Sequence, residues 1–294
     1  MSNNYLIAIN KPKNWTSSDV VIKVRNILSK ALGEKVKVGH MGTLDPIATG
    51  VLLLGVNKAT RLFDYFLLKD KTYIGTLTFG TSYDTLDSTG KIVETSSLPE
   101  IFHVHSILPQ FEGEIYQVPP KYSAIKIDGN KAYDLARAGK DVDIQPRKVN
   151  INNITMKSYL VDKGKVTDVE LKVECSSGTY IRSLFYDIAK SIGVAGHMSS
   201  LNRVKLANID ISNTITIEQL IDNPLGYFIE PATVLSSLMP QHELTAEEFS
   251  QLKTGNSIKI DNNSKFVAMI YDNKAQFVAE NINGVYKSRT NLEW

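Results

Sequence analysis

Gly39-His40-Met41-Gly42-Thr43-Leu44-Asp45-Pro46-Ile47-Ala48-Thr49-Gly50 is the stretch on which the reading of this chain turns. It sets one carboxylate, Asp45, in a loop rich in glycine and hydroxyl groups, just ahead of the apolar run 51–54. Gly39, Gly42 and Gly50 open backbone conformations closed to other residues and let a large ligand approach the main chain. Pro46 fixes its own φ and biases Asp45 towards an extended backbone, which keeps the carboxylate out of a helix. A carboxylate on a loop held by a rigid scaffold is a frequent catalytic arrangement. The same residues are equally compatible with a turn in which Asp45 caps local amides.

Working outward, residues 5–9 read as a short strand. Ser17 or Ser18 can then cap a helix that carries Val20, Val21, Val24, Ile27 and Leu28 on one face. Residues 51–56 read as a buried strand and 58–68 as a helix. Residues 72–79 alternate as a strand with Tyr73, Gly75, Leu77 and Phe79 on one side. Pro99 suits a first-turn position and starts a helix towards Leu108. Residues 149–160 and 166–175 pair around Asp162-Lys163-Gly164, with Cys175 facing a core. Residues 180–192 form an amphipathic helix that Gly193 ends. Strands interleaved with helices on one sheet give an α+β fold.

Two segments differ in character. Residues 119–145, punctuated by Pro119-Pro120, Asp128-Gly129-Asn130 and Gly139, read as a mobile insertion in which only 131–138 is helical. Beyond Met239-Pro240, Thr245-Ala246-Glu247-Glu248 is a capping box. Short strands follow at Ile258, 266–271 and 277–280, with Asp272-Asn273 as a turn. The expected division is a domain over 1–238 and a small β module over 239–294.

Composition bounds the rest. A chain of 294 residues suits one large domain plus a small one, and 43% hydrophobic with 22% charged residues is ordinary globular usage. No apolar run approaches the ~20 residues of a membrane span, and the N-terminus lacks the features of a signal peptide. Cys175 is the only cysteine, which excludes an internal disulfide. A cytoplasmic protein is therefore expected. The net charge of +2 is small, but Lys11, Lys13, Lys23, Arg25, Lys30, Lys35 and Lys37 face only Asp19 and Glu34. Between 171 and 206, Lys172, Arg182, Lys190, Arg203 and Lys205 face Glu174 and Asp187. Such clustering is what a surface binding a polyanion needs; the alternative is solubilising charge on helix faces. The C-terminal cations from Lys253 to Arg289 meet seven acids, which argues against strong phosphate affinity there.

The opening stretch resembles the G-H-x-G-x-L-D-P-x-A-x-G signature of the TruB family of pseudouridine synthases. Five further segments are similar to that family's motifs, in the same order. They are Asn10-Lys11-Pro12-Lys13-Asn14-Trp15-Thr16-Ser17, Lys71-Thr72-Tyr73, Asp84-Thr85-Leu86-Asp87-Ser88-Thr89-Gly90, Gln117-Val118-Pro119-Pro120-Lys121-Tyr122-Ser123-Ala124, and Cys175-Ser176-Ser177-Gly178-Thr179-Tyr180-Ile181-Arg182-Ser183-Leu184. The resemblance implies a catalytic domain with a central mixed, mainly antiparallel sheet and flanking helices, plus a C-terminal module of the PUA type. It implies that the insertion closes on RNA. Met41 departs from the family's usual threonine, and Asn14 stands where glycine is common.

The resemblance also implies the chemistry. Asp45 is the catalytic aspartate and Arg182 its ion-pair partner; a paired guanidinium keeps a buried carboxylate ionised. Tyr73 is the platform for a base taken out of the RNA stack, with a role in proton transfer. Tyr180 packs beside Asp45, His40 holds the RNA loop open and Leu201 walls the base pocket. Read alone, Tyr73, Tyr180 and Leu201 are ordinary core positions. No metal, redox or nucleotide cofactor is expected: residues 55–60 lack the glycine of a phosphate loop, and His103 with His105 lacks accompanying carboxylates. The expected activity is conversion of uridine 55 in the tRNA T-stem-loop by a monomer. Two alternatives remain open: a non-catalytic tRNA-binding or folding protein, and a guide-RNA-dependent synthase of the dyskerin type.

Overall fold

The computed structural model of the protein describes residues 4–67, 69–123, 125–127, 129–138 and 143–293. Ala124, Asp128 and Gly139, part of the expected insertion, lie outside the described residues, as do Leu68 and the side chains of Lys126, Lys131 and Arg137. The chain forms two compact units: Met1–Lys69 with Lys205–Trp294, and Asp70–Val204. The secondary structure is α+β with mainly antiparallel pairing.

In the first unit the Leu6–Lys11 strand pairs antiparallel with Thr49–Val56, whose residues from Gly50 onward are all buried. Val38–His40 pairs antiparallel with the same strand. The Ser17–Leu32 helix buries Val20, Val24 and Leu28 at helical spacing, and Gly33 in left-handed conformation ends it. Its N-cap is Thr16 rather than Ser17 or Ser18. Thr16 forms a capping box with Asp19, which frees Ser17 for another task described below. The expected 58–68 helix begins as a 3-10 turn, Asn57–Leu62, before Phe63–Leu67 becomes α-helical. Gly55 allows this turn to sit close, because a Cβ there would meet the Ala59 backbone at 2.8 Å.

The segment after residue 239 forms a five-stranded sheet in the order Gln241–Glu243, Phe266–Tyr271, Lys274–Ile282, Val285–Asn291, Ser257–Ile258. Asp272 and Asn273 both have positive φ and make the tight hairpin turn between two of these strands. One face of the sheet buries its own cluster of Leu252, Val267, Met269, Phe277 and Tyr286. Alternate residues, Ala268, Ile270, Ala275, Val278 and Leu292, join Leu6, Val51, Leu53 and Phe66 in one core. The module therefore shares its interior with the N-terminal strands. Polar staples reinforce this: Asn4 Nδ2 donates to Leu292 O at 2.9 Å, and Arg61 Nη1 donates to Asn291 O at 2.9 Å.

The second unit is built on strands in the order Gly196–Leu206, Lys71–Phe79, Lys165–Cys175, Arg147–Asp162, Gly113–Gln117. The long hairpin turns at Lys163 and Gly164, both with positive φ. Cys175 is fully buried, and burial pushes its thiol up to about 11. Lys71–Phe79 alternates strictly, burying Lys71, Tyr73, Gly75, Leu77 and Phe79. The Ile181–Ser191 helix buries Ile181, Leu184, Phe185 and Ile188. Pro99 precedes the Ile101–Ile107 helix instead of entering it: Glu100 is the N-cap, and the Pro99 carbonyl accepts Val166 N at 2.9 Å. His103 and His105 lie exposed on that helix.

Candidate active site

In the first unit, Asp45 sits in the loop that joins Val38–His40 to Thr49–Val56, two paired strands. Met41 N donates to Leu53 O at 2.8 Å at the mouth of this loop. Ala48 N donates to Asp45 O at 3.0 Å, closing a turn with Asp at its first position and Pro46 at its second, where each is favoured. Gly42 and Gly50 take φ of 137° and 101°, values that side-chain-bearing residues rarely adopt. The Asp45 side chain is half-buried.

The N-terminal motif fastens this loop from behind. Ser17, at the start of its helix and 2% exposed, donates to Leu44 O at 3.2 Å and accepts from Leu44 N at 2.9 Å. Lys11 is fully buried, and its Nζ donates to Pro12 O, Trp15 O and Pro46 O at 2.9, 2.6 and 3.3 Å. An ammonium has three protons, so these carbonyls compensate its burial. Lys11 thus acts as a structural pin, and the sequence reading that placed it among cations for a polyanion is corrected. Asn14 adopts φ of 66°, and its N donates to Pro46 O at 2.7 Å. Asparagine tolerates that left-handed backbone better than most residues. Met41 is 1% exposed and packs in the core against Gly55, turned away from the loop's polar face. His40 ends its strand and is half-buried.

In the second unit three of the motifs meet at Arg182, which is 5% exposed on the first turn of the Ile181–Ser191 helix. Arg182 Nη1 donates to Thr85 O at 3.0 Å and Nη2 donates to Tyr122 O at 3.0 Å. The Asp87 carboxylate lies 3.7 Å away. Asp87 Oδ1 accepts from Thr85 Oγ1 at 2.9 Å, Thr89 N at 2.9 Å and Thr89 Oγ1 at 2.5 Å. The acid is therefore fixed by its own loop, and its second oxygen faces the guanidinium. Sequence reasoning missed Asp87 as a partner of Arg182, although the spacing of Thr85, Asp87 and Thr89 is that of a side-chain-stabilised turn.

Tyr180 is the N-cap of the same helix and is half-buried. Gln117, 1% exposed, holds it from both sides: Gln117 Nε2 donates to Tyr180 O at 3.0 Å and Gln117 Oε1 accepts from Tyr180 N at 2.7 Å. Ser183 Oγ donates to Val118 O at 2.8 Å. These bonds replace an ordinary side-chain cap and dock the 117–123 segment onto the helix start.

Tyr73 is 7% exposed and Leu201 likewise 7%. Gly75, two residues beyond Tyr73 on the same strand face, leaves room for Leu201 and Phe185: a Cβ there would meet Leu201 Cδ1 at 3.0 Å and Phe185 Cε2 at 3.1 Å. Lys71 occupies the same face, and burial, aided by the Arg203 guanidinium, pulls its ammonium down to about 8. The structure thus gathers Tyr73 and Leu201 on one face and Tyr180 with Arg182 at one helix start, all in the second unit. His40 and Asp45 stand in the first. Among the described residues, no group of three His, Cys, Asp or Glu side chains is placed to hold a metal ion. No described helix is long and apolar enough to cross a membrane.

Residues 28–181 match the family described as TruB family pseudouridylate synthase (N terminal domain). The chain is 39% identical over 259 residues to a protein of Aquifex aeolicus named tRNA pseudouridine synthase B, covering 87% of each. It is 35% identical over 289 residues to a protein of the same name from Streptococcus thermophilus, covering 97% of each. A chain in the crystal structure of a Cbf5-Nop10-Gar1 complex shares the fold with a TM-score of 0.73 at 23% identity, covering 98% of this chain and 84% of that one.

Proposed function

This chain belongs to the TruB family of pseudouridylate synthases, and on that premise we propose that it acts on uridine 55 in the T-loop of tRNA, with Asp45 as its catalytic carboxylate. It is an isomerase that converts uridine to pseudouridine in tRNA, as the relatives named tRNA pseudouridine synthase B are. The single observation that carries this reading is the match to those relatives along nearly the whole chain, motif loop included.

The reaction breaks the bond between ribose C1′ and uracil N1 and makes one between C1′ and C5. The net change moves one proton from C5 to N1, so no electrons are exchanged with a cofactor. What the protein must supply is an ionised carboxylate at the sugar, a surface for the detached base and exclusion of water. Asp45 supplies the first: it is half-buried on a turn closed by its own carbonyl and pinned by Ser17 and Lys11. Arg182 is the guanidinium that offsets its charge during the reaction. Tyr73 and Leu201 receive the flipped base; extrusion costs a few kcal/mol, and an aromatic stack returns roughly 1–3 kcal/mol of it. Tyr180 orders the space beside the carboxylate, and His40 contacts the opened RNA loop.

The 239–294 segment serves as the PUA-like RNA-binding module, and the protein works as a cytoplasmic monomer without metal or nucleotide. The test is direct: incubate purified protein with unmodified tRNA and map pseudouridine by nucleotide. Product at position 55 with no added factor supports the proposal. Product that appears only when a guide RNA is added, or binding without product, overturns it.

A further inference from the structure

Four of the seven basic residues of the N-terminal segment fall into two roles. Lys11 is buried and donates to three carbonyls. Arg25, Lys35 and Lys37 converge instead, with Val36, Val38 and Asn57, on one shallow, open depression of about 360 Å³. Arg25 comes from the Ser17–Leu32 helix, and Lys35 and Lys37 from the segment that leads into the Val38–His40 strand. Val36 and Val38 are buried and form an apolar floor, while the three cations are exposed around it. Among the described residues no carboxylate lines the site. Neither Arg25, Lys35 nor Lys37 makes an ion pair among the described residues.

The backbone of this rim is held rigidly. Lys37 N donates to Asn57 Oδ1 at 2.9 Å, and Asn57 N donates to Lys37 O at 2.7 Å. Asn57 takes φ of 51° to make both bonds.

We propose that this pocket binds the sugar–phosphate backbone of the RNA substrate, away from the nucleotide that reacts; the assignment rests on the tRNA reading above. Three like charges over a low-dielectric floor concentrate positive potential, and a polyanion relieves their mutual repulsion. An apolar floor beneath a cationic rim matches a ribose carrying phosphates better than a free hydrated ion. The position also fits. Lys37 lies three residues before His40, about 10 Å along extended chain, so the pocket is one short strand away from the motif loop.

The experiment measures affinity for an unmodified tRNA transcript across a range of salt concentrations, with wild type and the Arg25→Ala/Lys35→Ala/Lys37→Ala variant. Each lost phosphate contact removes about 0.7 from the slope of log affinity against log salt, so the triple variant loses about 2. Affinity falls at least about tenfold at ~0.1 M salt. The kinetic loss falls on KM and is recovered by saturating tRNA. Lys37→Gln alone, which keeps the side chain's bulk, loses about 0.7 in slope and guards against a folding defect in the triple variant. A wild-type slope and affinity in both variants overturns the proposal. Failure of the functional reading is separate: wild type would then bind the transcript without forming pseudouridine, and the slopes would still judge the pocket.

Discussion

Arg182 Nη1 lies 3.7 Å from Asp87 Oδ2, and both side chains are 6% exposed. One comes from the helix that follows the 165–175 strand and the other from a turn almost a hundred residues earlier, itself anchored by Ser88 N to Met198 O at 3.2 Å. A guanidinium this deeply buried is placed by its partners, so Arg182 serves the fold as well as the chemistry assigned to it.

The Arg182→Met variant leaves Asp87 buried without its counter-charge. Loss of one member of a buried pair costs about 3–5 kcal/mol. Chemical denaturation should show that drop, and Asp87→Asn should recover part of it when combined with Arg182→Met. Additive losses in the double variant would show that the two side chains do not interact. At permissive temperature the Arg182→Met protein should lose far more rate than tRNA affinity.

The Asp45→Asn variant keeps the loop intact, because the loop is held through backbone groups: Ser17 on Leu44, Lys11 and Asn14 on Pro46. Pseudouridine formation should vanish while the affinity for tRNA stays within a few-fold of wild type. Turnover at the normal rate would remove Asp45 from the mechanism.

Gln117→Ala removes the two bonds that Gln117 makes to the Tyr180 backbone, while the Tyr180 carbonyl keeps Leu184 N at 3.0 Å. Two part-buried hydrogen bonds are lost, a cost of about 1–3 kcal/mol. Hydrogen exchange should rise in the first turn of the Ile181–Ser191 helix, and single-turnover rate should fall more than tRNA binding. An unchanged exchange pattern there would contradict the docking role.

Asp187 gives a pH signature. Burial raises its carboxyl to about 6, partly opposed by Lys190. A group raised in the folded state binds more protons there than in the unfolded chain, so stability falls as pH rises from about 4 to about 6. At pH 7 the wild-type protein carries an incompletely solvated charge. Asp187→Asn should therefore be more stable by roughly 1 kcal/mol at pH 7, after allowance for solvent screening. The difference should disappear near pH 4; a gain that persists there would trace to something other than ionisation.

Local patterns written in few residues were legible beforehand. The alternation of 72–79, the hairpin at Lys163-Gly164, the amphipathic helix ending at Gly193 and the capping box at Thr245 all stand as read. The Gly196–Leu206 strand was not, because it buries His197 and Met198 in succession and shows no two-residue period. Val285–Asn291 was hidden by its polar composition, since only two of its seven residues are buried. Lys11 misled for a related reason: sequence carries a lysine's charge but says nothing about carbonyls that converge on it from residues 12, 15 and 46.

By itself, then, the sequence determined the family and the α+β alternation and singled out the glycine-rich loop that carries Asp45, because these depend on short-range spacing of glycine, proline and apolar residues. Tertiary structure alone decided that Arg182 meets Asp87, that Gln117 brackets Tyr180 and that the C-terminal sheet shares a core with the N-terminal strands. Such relationships join residues tens to hundreds of positions apart. Their energy comes from burial and from compensating polar groups that only the folded chain brings within bonding distance.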